Sequence, residues 1–92
     1  MIVAFVMINC AKDAIPELAE KLCGINGVGE VYSVTGDFDV IAIVRVIELS
    51  QVAEVVTGEI RKLSDVLKTQ THVAFEAYSR FDLEAMFSIG VD

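Results

Sequence analysis

Ninety-two residues, 54% apolar and 23% charged with a single proline, make one domain with a modest core; they exclude a disordered tail, a collagen-like repeat and a low-complexity linker. Fourteen acids against seven bases leave a net charge of −7, and no basic cluster exceeds the pair Arg61-Lys62, so direct binding to nucleic acid or to an anionic membrane is not expected. The mean hydropathy of +0.59 is high, yet the longest apolar run, residues 1–8, falls far short of the roughly 20 residues that span a bilayer, so the surplus points to association between subunits.

The run IVAFVMI at 2–8 is β-branched and aromatic, and predicts a strand ending at Asn9. No basic stretch precedes it and no small-residue cleavage site follows, so it reads as a strand of a cytoplasmic protein and not as a signal peptide. Asp13 can cap the next element, with Pro16 tolerated in its first turn. Ile15, Leu18, Ala19, Leu22 and Cys23 share one helical face, and Gly24 terminates that helix. Residues 28–35 read as a second strand, Gly36-Asp37 as a tight turn, and the apolar run 38–47 as a third strand, making an antiparallel hairpin. Ser50 is a good N-cap for a second helix with Val52, Val55, Val56, Ile60 and Leu63 on its buried face. Gly58 inside that helix costs roughly 1 kcal/mol relative to Ala, which points to a middle turn packed closely on a strand. Residues 66–79 form the last strand, with Thr69, Thr71 and Val73 on one side and Lys68, Gln70 and His72 on the other. A tail, 81–92, carries a candidate cap at Asp82 and the apolar residues Leu83, Met86, Phe87 and Ile89.

The order β-α-β-β-α-β implies an α+β, ferredoxin-like domain over residues 1–80: a four-stranded antiparallel sheet with two helices on one face. Such a sheet should alternate apolar and polar residues. The first strand does not alternate, and residues 40–44 are an unbroken apolar run. Both faces therefore need cover. The helices supply one, and the other is most simply covered by the same face of a second copy, giving a sheet-to-sheet dimer (a dimeric α/β barrel). The 13-residue stretch from Arg80 onward is too small to cover that face, and packing on the oligomer is expected of it.

Catalytic constellations are sparse. His72 is the only histidine, and Glu76, four positions on, is roughly 13 Å away at strand rise. A lone His on a polar strand face reads as solvated or interfacial. Metal-ligand spacings, phosphate loops and nucleophile elbows are absent, so no metal or cofactor is expected. Cys10 and Cys23 read as two buried thiols and not as a disulfide. The informative segment is Thr35-Gly36-Asp37-Phe38-Asp39. As a hairpin turn it explains Gly36 and Asp37, but Asp39 lies in an apolar strand and needs a partner. Two acids on one strand side could hold an ammonium group. The hydroxyls of Thr35, Thr69 and Thr71 could hold a carboxylate, and together they would suit a zwitterionic amino acid.

At this segment the chain resembles a known family. Residues 25–40, with the core Thr35-Gly36-Asp37-Phe38-Asp39, are similar to the effector domain of the leucine-responsive/asparagine-responsive (Lrp/AsnC) transcriptional regulators; Leu63 to Glu76, with Thr69 and Thr71, resembles that family's end of the second helix and last strand. The resemblance covers about residues 2–79. Family regulators carry an N-terminal helix-turn-helix domain, and this chain starts at the effector domain's first strand, so it resembles a stand-alone RAM (regulation of amino-acid metabolism) module. The resemblance implies sheet-to-sheet dimers, assembly of dimers into an octamer or decamer, and small effectors, usually amino acids, bound between dimers. Carried over by position, the ligand-binding residues are Thr35, Gly36, Asp37, Phe38 and Asp39 at the hairpin turn, and Thr69, Gln70 and Thr71 on the last strand. A full-length Lrp/AsnC regulator is a candidate partner.

Three functions compete. The first is a non-enzymatic effector and oligomerisation module, with an ACT-like amino-acid-binding domain as a near variant. The second is a dimeric α/β-barrel enzyme of monooxygenase or isomerase type, which needs polar residues converging on a cavity between sheet and helices. The third is a ligand-free oligomerisation domain.

Overall fold

The computed structural model describes residues 1–80; the predicted tail 81–92, with Asp82, Leu83, Met86, Phe87 and Ile89, lies outside the described residues. The chain runs β1 (Ile2–Cys10), a 3-10 turn (Lys12–Ala14), α1 (Ile15–Cys23), β2 (Val28–Ser33), β3 (Val40–Val46), α2 (Leu49–Gly58), a second 3-10 turn (Ile60–Lys62) and β4 (Val66–Val73). The strands form one antiparallel sheet in the order β2-β3-β1-β4, the ferredoxin-like arrangement expected from the element order.

The even positions of β1, Ala4, Val6, Ile8 and Cys10, are buried together with Val40, Ala42, Val44 and Val46 of β3. Leu18 and Leu22 of α1, Val52, Val55 and Val56 of α2, and Ile60 cover them. Each buried Val, Leu or Ile among them stabilises the fold by roughly 1.5–3 kcal/mol through removal from water. Among the described residues, no helix lies over the opposite sheet face. Its centre is Val3, Phe5 and Met7 of β1 with Ile41 and Ile43 of β3, and Phe5 is 40% exposed. Glu30, Tyr32 and Arg45 rim this face on one side, and Lys68, Gln70 and His72 on the other.

Several local expectations are corrected. α2 is capped by Glu48 and not by Ser50: Glu48 and Gln51 form a capping box, with the Gln51 Oε1 accepting the Glu48 N–H at 2.8 Å. Asp13 sits in the 3-10 turn and caps nothing, since α1 starts from Ala14 without a side-chain cap. Gly58 is the last residue of α2, with nothing within 4 Å of where a Cβ would stand, so close packing on a strand does not explain it. Ile60 is buried as expected, but from the 3-10 turn after the helix. β4 stops at Val73 and not at residue 79. Among the described residues it pairs only with β1, which begins at Ile2, and after Ala74 N–H reaches the Val3 carbonyl no described partner strand remains. Phe75 and Tyr78 are consequently fully or largely exposed.

Candidate functional site

β2 ends at Ser33 and β3 begins at Val40, so residues 34–39 form a loop and not a tight two-residue turn. The loop is closed by the Val34 N–H donating to the Asp39 carbonyl at 3.0 Å. Thr35, Gly36 and Asp37 are exposed at its tip, whereas Phe38 and Asp39 are half-buried at its base. Gly36 has φ +109° and open space around it, a conformation that only glycine adopts without strain. Asp37 and Asp39 lie in this loop and not in β3, so strand alternation does not place them on one side.

Asp39 has the partner that an acid against an apolar strand needs. Its Oδ2 accepts the Cys10 N–H at 2.9 Å, and its own N–H donates to the Ile8 carbonyl at 3.0 Å. Past the end of β3, the carboxylate thus replaces the backbone acceptor that a longer strand would have offered to β1. Asn9 adds to the junction: its Nδ2 donates to the Asp37 carbonyl at 2.8 Å and lies 3.5 Å from Asp39 Oδ2. The Asp37 carboxylate takes part in no hydrogen bond or ion pair among the described residues. Sequence reasoning misses Asn9, which along the chain only marks a strand end. A polar amide closing an apolar strand is the available signal.

The β4 residues divide between the two faces. Thr69 and Thr71 pair with Ile8 and Val6 on the helix side, whereas Gln70 pairs with Met7 on the open face. Gln70 Nε2 lies 2.8 Å from His72 Nε2. Thr71 borders a groove of about 310 Å³ with Leu49, Val52, Ala53, Val56 and Thr57. In register, Thr69 faces Ile8, which faces Val40, so β1 stands between β4 and the loop and separates them by about 10 Å. The residues singled out at the turn and on β4 therefore share one end of the sheet but do not meet in one pocket within a protomer.

Elsewhere, the space between sheet and helices is filled by Ala4, Val6, Ile8, Leu18, Leu22, Val40, Ala42 and Val44, each at 0% exposure, where a barrel enzyme would need a polar cavity. A larger surface groove of about 810 Å³ runs between the end of α1 and α2, past Glu20, Lys21, Asn26, Glu54 and Glu59. Arg45 crosses over Gly29 to pair with Glu30, which also accepts from the Tyr32 hydroxyl at 2.7 Å. Both cysteines are free, but only Cys10 is buried; Cys23 is exposed, against expectation, because α1 turns it away from the core. Burial, and after it the negative charges of Asp39 and Asp65, push the Cys10 thiol pKa up. No helix of the described residues is long and apolar enough to cross a membrane. No three metal-ligating side chains gather among them.

The sequence pattern of the Lrp/AsnC ligand binding domain matches residues 3–83. The chain belongs to the Lrp/AsnC family. It is 33% identical over 63 residues to the HTH-type transcriptional regulator LysM of Sulfurisphaera tokodaii, a match covering 68% of this chain and 44% of that protein. The chain thus spans less than half the length of that regulator. Its fold superposes on the crystal structure of TTHA0845 from Thermus thermophilus with a TM-score of 0.81 and 41% identity, covering 87% of this chain and all of that one. It also superposes, with a TM-score of 0.68 and 27% identity, on a feast or famine regulatory protein (Rv3291c) from M. tuberculosis complexed with L-methionine, covering 87% and 54% of the two chains. The Lrp/AsnC domain, related to regulators of transcription, is therefore the frame for this chain's function.

Proposed function

We propose that this domain is a non-enzymatic sensor that binds a zwitterionic amino acid or a close chemical relative and couples that binding to assembly. The carrying observation is the loop tip. Gly36 leaves its backbone open to approach, Thr35 offers a hydroxyl, and the Asp37 carboxylate stands exposed without a partner among the described residues. Asp37 or Asp39 is the group for an ammonium. Phe38 lies at the loop base, and Thr69, Gln70 and Thr71 on β4 are the polar groups left for the carboxylate and side chain. Because β1 separates the loop from β4 inside one protomer, a small ligand touching both sets needs a second chain. Methionine in the related M. tuberculosis regulator supports the amino-acid class.

The open sheet face supports a sheet-to-sheet homodimer: an apolar centre of Val3, Phe5, Met7, Ile41 and Ile43 inside a polar rim is the anatomy of an association surface. Dimers joined through ligand at the loops would give an octamer or a decamer. A full-length Lrp/AsnC regulator, carrying the same domain, is the natural protein partner through mixed assembly in the cytoplasm. The barrel-enzyme alternative has no specific observation in its favour, since apolar side chains fill the region it requires.

The test is light-scattering mass on a sizing column with and without each of the twenty amino acids, alongside titration calorimetry. A ligand that shifts the assembly stabilises it in proportion to RT ln(1 + [L]/Kd). A dimer indifferent to all twenty would overturn the sensor reading and leave the fold and family intact.

A further inference from the structure

We infer that Asn9 is the positioning residue of the effector loop, and that the Asp39 carboxylate serves as the loop's latch to β1 and not as its ligand group. The inference rests on the effector reading above and sharpens it: among the loop acids, Asp37 alone is left to meet the ammonium.

Four contacts within a few residues make the latch. Asp39 N–H donates to the Ile8 carbonyl, Cys10 N–H donates to Asp39 Oδ2, Asn9 Nδ2 donates to the Asp37 carbonyl, and the same Nδ2 lies at 3.5 Å from Asp39 Oδ2. The first two are short and involve half-buried or buried residues, so they fix the loop base. The Asn9 bond acts one step further out. It holds the carbonyl of Asp37, the residue whose side chain is exposed at the tip, and no other hydrogen bond or ion pair among the described residues restrains Asp37. β1 itself departs from regular pairing at this point. Its register with β4 shifts between Asn9, which pairs with Lys68, and Cys10, which pairs with Val66, so the ladder is irregular where the loop docks. Holding a binding group in place before the ligand arrives raises affinity by removing the ordering cost from the binding step. Asn9 does this for Asp37 without touching the ligand.

The experiment combines hydrogen exchange with amino-acid titration on the full chain. Backbone amides of Val34, Asp39 and Cys10 report the latch, and amides of Val6 and Val44 report the core. In Asn9→Ala, the Val34 and Asp39 amides should exchange at least tenfold faster with core rates unchanged, and the Kd for the responsive amino acid should rise at least fivefold at unchanged dimer mass. Asn9→Asp removes the amide donor but keeps its shape. Its loop protection should fall at least as far as in Asn9→Ala, with core rates unchanged. Asp39→Asn retains an oxygen acceptor for Cys10 N–H and should hold affinity within threefold, whereas Asp37→Asn should lose at least tenfold. Unchanged loop exchange in Asn9→Ala, or a tenfold loss in Asp39→Asn with the loop still protected, would overturn the assignment. If wild-type protein binds none of the twenty amino acids, the effector reading fails, and the role of Asn9 in binding with it, while the exchange rates still report on the latch itself.

Discussion

Gly27→Ala, set against Gly36→Ala, separates two costs that glycine replacements usually mix. Both residues have φ in the glycine-favouring region, +100° at Gly27 and +109° at Gly36. An alanine there stores about 1–3 kcal/mol of backbone strain. At Gly36 that is the whole cost, because nothing lies within 4 Å of the new methyl. At Gly27 the methyl would stand 2.9 Å from Val55 Cγ2 and 3.3 Å from Val46 Cγ1. Both valines are buried and stiff at χ1, so they cannot swing aside as the end of a lysine could. The Gly27 carbonyl also accepts the Arg45 N–H at 2.8 Å, which restrains the backbone from backing away. Overpacking of this kind adds about 1–3 kcal/mol. Gly27→Ala should therefore cost about 2–6 kcal/mol and Gly36→Ala about 1–3 kcal/mol, against a typical domain stability of about 5–15 kcal/mol. Urea unfolding followed by circular dichroism, at one protein concentration because association adds to apparent stability, measures both. Equal costs at the two sites would refute the packing argument, and a neutral Gly36→Ala would refute the strain argument.

Phe5→Asp places a charge at the centre of the open sheet face and, under the proposed sheet-to-sheet association, should reduce the solution mass toward the single chain's 10.0 kDa, read by sedimentation equilibrium. Gly58→Ala sits at the end of α2 with open space around it and no positive φ, so it should stabilise by about 0.5–1 kcal/mol through the unfolded chain's lost freedom; a destabilised protein in thermal unfolding would contradict this. Exposed Cys23 should react with a thiol reagent at pH 8 in the folded protein, whereas buried Cys10, its pKa raised by burial and by Asp39 and Asp65, should react only on unfolding. The same shift has a sign: above the ordinary thiol value of 9.0 the unfolded thiol ionises before the folded one, so stability should fall as pH rises through that range, and Cys10→Ala should flatten the fall.

Legibility in the sequence followed the range of the interactions involved. The four strands and two helices were readable because hydrophobic periodicity is local, and α1 starts and stops where the spacing of Ile15, Leu18, Leu22 and Gly24 places it. Strand ends were less readable because a partner decides them. β4 keeps a strand-like sequence through residue 79 but loses its neighbour after Ala74. The loop 34–39 was visible as a motif, yet the role of Asp39 depends on Cys10, 29 positions away, and the contribution of Asn9 depends on Asp37, 28 away. On β4, alternation separated Gln70 from Thr69 and Thr71 correctly. Which of those faces the helices cover could not be read from β4 alone, because that is set by the buried even positions of β1 beside it.

The distribution of exposed apolar residues argues that one interface does not exhaust this surface. Phe5 and Tyr32 belong to the open sheet face, where a second copy would cover them. Leu49 is 60% and Val73 40% exposed, and they lie on the other side of the sheet, beside the groove that Thr71 shares with α2. A sheet-to-sheet dimer leaves that second region in water. Burial of apolar surface contributes roughly 25 cal/mol per Å², so a chain with a modest core gains from covering both. The assembly beyond the dimer proposed above would satisfy this if its contacts reached the helix side of β4. Leu49→Glu should then leave the dimer intact but abolish any larger species, while Phe5→Asp abolishes both. Loss of the dimer in Leu49→Glu would show that the two surfaces act as one.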